Sequence, residues 1–209
     1  LLGAKYALLR CEFLQWRDWR RDIPATGRNI LVTLGGADAA NVTEKVVALL
    51  RRLEMATVRI KIVVGAANSH FESLRDAVAD DGRIELLTAV DNLAALMAWA
   101  DVAISAGGST CWELAFMGLP SCVIVLADNQ LPVARSLEEA GAAIDLGAWG
   151  EGAEAKLSAV LSDLIHDPAH RRRMSEIGRQ IVDGAGASRV AEHLWQRTSR
   201  GALHAAAEA

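Results

Sequence analysis

The chain has 209 residues, 52% of them hydrophobic, which is ample for one sizeable core or two small ones. Its 22 basic and 26 acidic residues give a formal charge of -4 with no strongly basic block, so a nucleic-acid backbone or an anionic membrane is a poor partner class. No apolar stretch reaches the roughly 18 residues of a membrane span, and the start, LLGAKYALL, lacks a methionine and the charged-then-apolar pattern of a signal peptide.

That start reads as a piece of something longer. The three cysteines, Cys11, Cys111 and Cys122, are an odd number without paired metal-ligand spacing, and they read as reduced thiols of a cytoplasmic protein. Residues 1–28 form a separate segment in which WRDWRRD crowds Trp16 and Trp19 with arginines and aspartates before the breakers Pro24 and Gly27. Two readings stand side by side: a linker that docks another domain, or a surface helix whose tryptophans pack on the body.

From Asn29 onward, short aliphatic runs alternate with amphipathic stretches. NILVTL (29–34), VRIKIVV (58–64), RIELLT (83–88), DVAIS (101–105), SCVIVL (121–126) and AAID (142–145) predict strands. Between them TEKVVALLRRL, FESLRDAVA, NLAALMAWA, CWELAFMG and VARSLEEAG repeat apolar positions at helical spacing. Mostly unalternating apolar strands with short connections predict a Rossmann-like, doubly wound parallel sheet of about six strands, an α/β fold occupying residues 29–200. After Asp145 the strands stop, and KLSAVLSDLIHD, HRRRMSEIGRQIV and SRVAEHLWQR predict a helical tail, with residues 201–209 expected to fray. The run Arg171 to Arg173 reads as a solvated helix face, and the five histidines as solvated or capping groups, so no metal site is predicted.

Ligands of open parallel sheets bind at strand carboxyl ends where the crossovers diverge. Three strand ends carry candidate residues. In LGGADAAN, Gly35 and Gly36 let a backbone approach a ligand, or else form a tight turn with an Asp or Asn cap. In SAGGSTCWE, Gly107 and Gly108 free the backbone, while Ser109 and Thr110 offer hydroxyls at a helix start, a set that can hold a diphosphate without metal. Glu113 has two readings there: it closes a capping box onto Thr110, or it accepts from the vicinal diol of a ribose. In LADNQLPVA, Asp128, Asn129 and Gln130 open the next helix: either Asp128 or Asn129 is its N-cap, or these polar groups bond a sugar. There is no G-x-G-x-x-G or P-loop motif, no G-x-S-x-G elbow, and no acid that clearly ends the second strand, which argues against an oxidoreductase or a serine hydrolase.

The stretch SAGGSTCWELAFMGLPSCVIVLADNQ resembles the C-terminal, nucleotide-sugar-binding half of MurG-type GT-B glycosyltransferases. With LLGAKYALLR, ILVTLGGADAANVT and IVLADNQ it is similar, over roughly residues 1–195, to the UDP-2,4-diacetamido-2,4,6-trideoxy-β-L-altropyranose hydrolases of pseudaminic acid biosynthesis. It departs from that pattern at Ala37, where a polar residue is frequent, and at Cys11, where proline is common. The resemblance implies a UDP site without a cofactor: Gly35 and Gly36 behind the nucleotide and phosphates, Gly108, Ser109 and Thr110 on the diphosphate, Glu113 on the ribose, Asn129 and Gln130 at the sugar. It also implies that the catalytic histidine lies in an N-terminal domain absent from this sequence, so that this half binds a UDP-sugar and hydrolyses nothing alone. The alternatives are the donor-binding domain of a MurG-like glycosyltransferase, or a stand-alone UDP-sugar-binding module.

Overall fold

A computed structural model describes residues 3–36, 38–53, 57–65, 67–88 and 90–207, with side chains described up to residue 196. Ala37, the departure in the first loop, lies outside the described residues. The six predicted strands are β1 (Asn29–Thr33), β2 (Arg59–Val64), β3 (Ile84–Thr88), β4 (Val102–Ala106), β5 (Ser121–Val125) and β6 (Ala143–Ala148). They form one parallel sheet in the order β3-β2-β1-β4-β5-β6. That is the doubly wound Rossmann order, in which the chain reverses direction across the sheet between β1 and β4.

Alternate residues of the central strands feed two cores. Ile30 and Val32 of β1, Val102 and Ile104 of β4, and Cys122 and Ile124 of β5 pack on one side with Val46, Leu50, Leu74, Leu157 and Leu161. Those partners lie on α2 (Val42–Arg52), α3 (Phe71–Val78) and α7 (Ala153–His166). Leu31, Ala103 and Val123 face the other side and meet Met97, Leu114 and Leu137. These come from α4 (Leu93–Trp99), α5 (Thr110–Phe116) and α6 (Leu131–Ala140). Burial on both faces is why these strands read as continuous apolar runs.

β6 continues three residues beyond the predicted stop at Asp145. A bulge permits this: the register with β5 passes from Val123↔Asp145 to Ile124↔Gly147, leaving Leu146 as the extra residue. The predicted helical region follows as α7, α8 (Pro168–Ile181) and α9 (Gly186–Ala207). Asp167 caps α8 by accepting from the His170 amide at 2.9 Å, with Pro168 at the first helical position.

Arg171 is not on a solvated face. Its side chain is fully buried, and it donates to the carbonyls of Leu164, Ile165 and Pro24. Burial holds its pKa below the usual arginine range, against the pull of Asp101 and Asp167. The reason is geometric: the last carbonyls of α7 have no helical partner at the tight α7–α8 junction, and one guanidinium satisfies two of them.

The N-terminal segment is a strap on the second core, with a 3-10 turn at Ala4–Tyr6 and one α-helical turn, α1 (Cys11–Leu14), in place of a surface helix. Phe13 is fully buried, and Trp16 and Trp19 pack against the same core, edge to face at 5.4 Å. Arg21 then donates to the carbonyls of Ala100, Met97 and Met117, at the ends of α4 and α5. Trp16 and Trp19 of WRDWRRD are thus packed on the body.

Candidate functional site

β1 and β4 are neighbours whose connections leave in opposite directions, so the loops after them part and open a crevice. A cavity of about 610 Å³ lies there, within the range of small-molecule sites. It is lined by Gly35 and Gly36 after β1, by Gly108, Ser109 and Thr110 after β4, and by Gln130 after β5, joined by Thr33, Asp38 and Ser105. Three loops far apart in sequence thus meet at one point.

Each loop has a local reason for its shape. Gly35 has φ +92°, a left-handed conformation that favours glycine. Gly36 lies so close to the loop after β2 that a Cβ on Gly65 would fall 2.4 Å from its Cα. Asp38 is buried and accepts from the amides of Val42 and Thr43 at 2.9 and 2.7 Å and from the Thr43 hydroxyl at 2.6 Å. It therefore caps α2, the Asp-capped turn that was one of the two readings of this loop.

After β4, Gly107 is buried, and a Cβ on it would lie 2.9 Å from the Gln130 Cβ and 3.0 Å from its carbonyl oxygen. Gly107 therefore does not line the cavity; it lets the third loop close against the second. Gln130 fixes that third loop by accepting from the Leu126 amide at 2.9 Å through Oε1.

The other candidates are placed differently. Asp128 and Asn129 are exposed in a short 3-10 turn and do not line the cavity. Neither caps α6, whose N-cap position is taken by Gln130 without a side-chain cap, so that reading is corrected. The capping box at Thr110 is corrected too: Ser109 occupies the N-cap position of α5, and no side chain caps that helix. The buried Glu113 carboxylate is instead gripped by Arg10, whose Nε and NH2 donate to its two oxygens at 2.8 and 3.0 Å. A charge-assisted fork outcompetes a single carboxylate-amide bond. Hydrogen bonding to Glu113 is the main reason the Arg10 pKa lies above the usual value.

No lysine or arginine is among the described residues that line the cavity, so an anion there meets backbone amides and the hydroxyls of Ser109 and Thr110. Of the amides at the two helix starts, those of Cys111 and Trp112 already donate to the Gly108 and Ser109 carbonyls at 3.1 and 3.0 Å, and those of Val42 and Thr43 to Asp38. The donors offered to a ligand therefore come from the loops before them. Asp163, Asp167 and His170 bring ligand-type atoms within 4.8 Å of one another at the α7–α8 junction, a cluster that sequence spacing did not suggest. Their groups already serve the helix cap and the His170–Asp163 contact at 2.7 Å, and none of the three lines the cavity. The contributions of Thr33 and Asp38 were missed in the sequence; the only signal was Asp38 standing four and five residues before the amides it caps.

Residues 29–194 match the glycosyltransferase family 28 C-terminal domain. The chain is 31% identical over 189 residues to the spore coat polysaccharide biosynthesis protein SpsG of Bacillus subtilis (strain 168), covering 90% of this chain and 56% of SpsG. It is 30% identical over 180 residues to the UDP-N-acetylglucosamine--N-acetylmuramyl-(pentapeptide) pyrophosphoryl-undecaprenol N-acetylglucosamine transferase of Salinibacter ruber, covering 83% of this chain and 47% of that one. The chain thus spans about half the length of the curated relatives it matches. Among solved structures, Acinetobacter baumannii MurG superposes with a TM-score of 0.68 at 20% identity, over 85% of this chain and 54% of that one, a likeness of fold. With a family match across most of its length and a GT-B-like sheet, the chain belongs to the glycosyltransferase family 28 C-terminal domain family.

Proposed function

We propose that this chain is the donor-binding half of a two-domain sugar-nucleotide enzyme and that its cavity holds the diphosphate of a UDP-sugar. The observation that carries the reading is the convergence of Gly35, Gly36, Gly108, Ser109, Thr110 and Gln130 on one cavity at the switch point. Glycines allow close approach, amides and hydroxyls replace water around the phosphate oxygens, and no metal or organic cofactor is assigned. Gln130 spends Oε1 on the Leu126 amide, which leaves its Nε2 to donate toward the sugar. The charge that develops on a departing diphosphate would be met by the same fixed donors.

Glu113 enters this reading as the ribose acceptor only once Arg10 releases or shares it, because Arg10 engages both of its oxygens. Without a cation in the cavity lining, the half-enzyme binds UDP weakly and turns nothing over, the rest of the catalytic groups belonging to a preceding domain in a reduced, cytoplasmic setting.

Transfer of the sugar to an acceptor takes precedence over hydrolysis, since the Salinibacter relative is a transferase by name. Hydrolysis of a UDP-diacetamido-trideoxy sugar, implied by the sequence resemblance, is distinguished by UDP release without acceptor once the chain is joined to its upstream domain. Calorimetric titration with UDP tests the binding reading directly. Saturable binding that falls at least about tenfold on combining Ser109→Ala with Thr110→Val is expected, the loss of two hydrogen bonds to a charged group. Absence of UDP binding, or binding indifferent to those changes, overturns it, and robust turnover by this chain alone overturns the half-enzyme assignment.

A further inference from the structure

At the opposite end of the sheet, where β1, β2 and β3 begin, one face is left open. Both faces of a parallel sheet are ordinarily covered. Here the β2 side chains that point toward α4 are Arg59, Lys61 and Val63, and the first two are polar and partly or fully exposed. Beside them lies a cavity of about 530 Å³ lined in part by Arg28, Asn29, Arg59, Arg83 and Trp99. A second of about 380 Å³ shares Arg59, Gly82, Arg83 and Trp99 with it and adds Lys61 and Glu85.

The charges in this groove do not cancel. Arg83 is committed to Asp81 through Nε and NH2, at 2.9 and 2.7 Å, and to the Leu53 and Arg51 carbonyls. Lys61 pairs with Glu85 at 3.2 Å and sits over the Trp99 ring at 4.9 Å. Asp101 accepts through Oδ2 from the backbone amides of Arg28 and Asn29, at 2.8 and 2.9 Å. Two exposed guanidinium groups, Arg28 and Arg59, are left without a carboxylate partner among the described residues, in a chain whose formal charge is -4. They belong to adjacent strand starts, tied by the Arg59 amide donating to the Arg28 carbonyl at 2.8 Å, so both forks border the same groove.

We infer that this groove is a second anion site, in which Arg28 and Arg59 grip a phosphate ester while the indole of Trp99 backs its uncharged part. Guanidinium forks match phosphate oxygens bidentately, and an aromatic wall suits the organic portion of an ester better than a bare ion. A volume near 530 Å³ suits a small molecule or a lipid headgroup. The inference is independent of the UDP reading, because no residue of this groove lines the switch-point cavity.

The test uses the full chain saturated with UDP, titrated with inorganic pyrophosphate. A parallel arm measures cosedimentation with phosphatidylcholine vesicles with and without phosphatidylglycerol. The variant is Arg28→Gln combined with Arg59→Gln, both exposed positions, and the control, which removes one exposed positive charge elsewhere, is Arg135→Ala on α6. Pyrophosphate affinity about tenfold weaker in the double variant, with UDP affinity and melting temperature unchanged, is the expected result. Vesicle binding that requires phosphatidylglycerol and is lost in the same variant assigns the phosphate to a lipid surface; pyrophosphate binding without vesicle binding assigns it to a soluble ester. Failure of both probes to bind, or equal loss in the Arg135→Ala control, overturns the inference.

Discussion

Arg10 and Glu113 lie 103 residues apart in sequence, yet the Arg10 guanidinium holds both oxygens of the Glu113 carboxylate, at 2.8 and 3.0 Å. The pair ties the N-terminal strap to the helix that follows the Gly-Gly-Ser-Thr loop, although neither residue is among those that line the cavity. Arg10 also lies over the Phe13 ring at 5.2 Å, which anchors its stem on the second core.

Removing Arg10 strands a buried carboxylate. Because the Arg10 side chain is 48% exposed, water takes over part of its role, and Arg10→Met is expected to cost about 1–2 kcal/mol in urea unfolding. Glu113→Gln keeps one acceptor for the fork and costs less. If the carboxylate also serves ribose, Glu113→Gln weakens UDP beyond its effect on stability. Equal, small losses in both measurements would confine Glu113 to anchoring the strap.

Gly65 is expected to control the first loop from outside the cavity. A methyl group there would fall 2.4 Å from the Gly36 Cα, whereas one on Gly36 meets open space. Gly65→Ala should displace the loop and weaken UDP about tenfold or more, while Gly36→Ala should leave stability nearly unchanged. Calorimetry on both variants beside their melting curves checks this; unaltered UDP affinity in Gly65→Ala would show that the loop yields freely.

Arg171→Leu keeps the bulk of a fully buried side chain but takes this donor from the carbonyls of Leu164 and Pro24, while the Ile165 carbonyl keeps the Gly27 amide at 2.9 Å. The expected loss is about 2–4 kcal/mol of unfolding free energy, softened by removal of a buried charge whose Nε has no partner among the described residues. Denaturant unfolding followed by circular dichroism gives the value, and a neutral outcome would mean that burying the guanidinium costs as much as its bonds return.

The thiols supply a pH prediction. Burial pushes Cys111 and Cys122 up to about 12, while Cys11 is exposed. At pH 8 a thiol reagent should titrate one group in the native chain and three after unfolding. Since the folded pKa values lie above those of an unfolded chain, the unfolded state loses these protons first as pH rises. Their stabilisation is therefore complete below about pH 8.5 and lost progressively up to about pH 12. Cys122→Ala should flatten that alkaline decline, and an unchanged slope would assign it to other groups.

The architecture was legible because its signal is local. Each strand of the sheet is a short β-branched or aliphatic run closed by a turn residue, and each helix that packs on it shows its own period, so the α/β alternation follows from neighbours within about a dozen residues. The glycine and hydroxyl residues of the candidate site were legible for the same reason, since they interrupt strand ends where parallel sheets bind ligands. Arg171 was misread because its neighbours Arg172 and Arg173 are solvent-facing, and only the close approach of α7, α8 and the Pro24 carbonyl distinguishes it from them.

What the sequence by itself determined is therefore the doubly wound sheet and the identity of the loops at its carboxyl edge, both written in local periodicity and backbone permissiveness. What only the tertiary structure decided is where charge goes. Glu113 turned from the Thr110 amide to Arg10, Asp38 became a buried cap, Asp128 and Asn129 stayed in solvent, and Arg28 and Arg59 were left without a carboxylate partner among the described residues. A charged side chain is directed by whichever partners the fold brings within about 3 Å, and those partners can lie a hundred residues away.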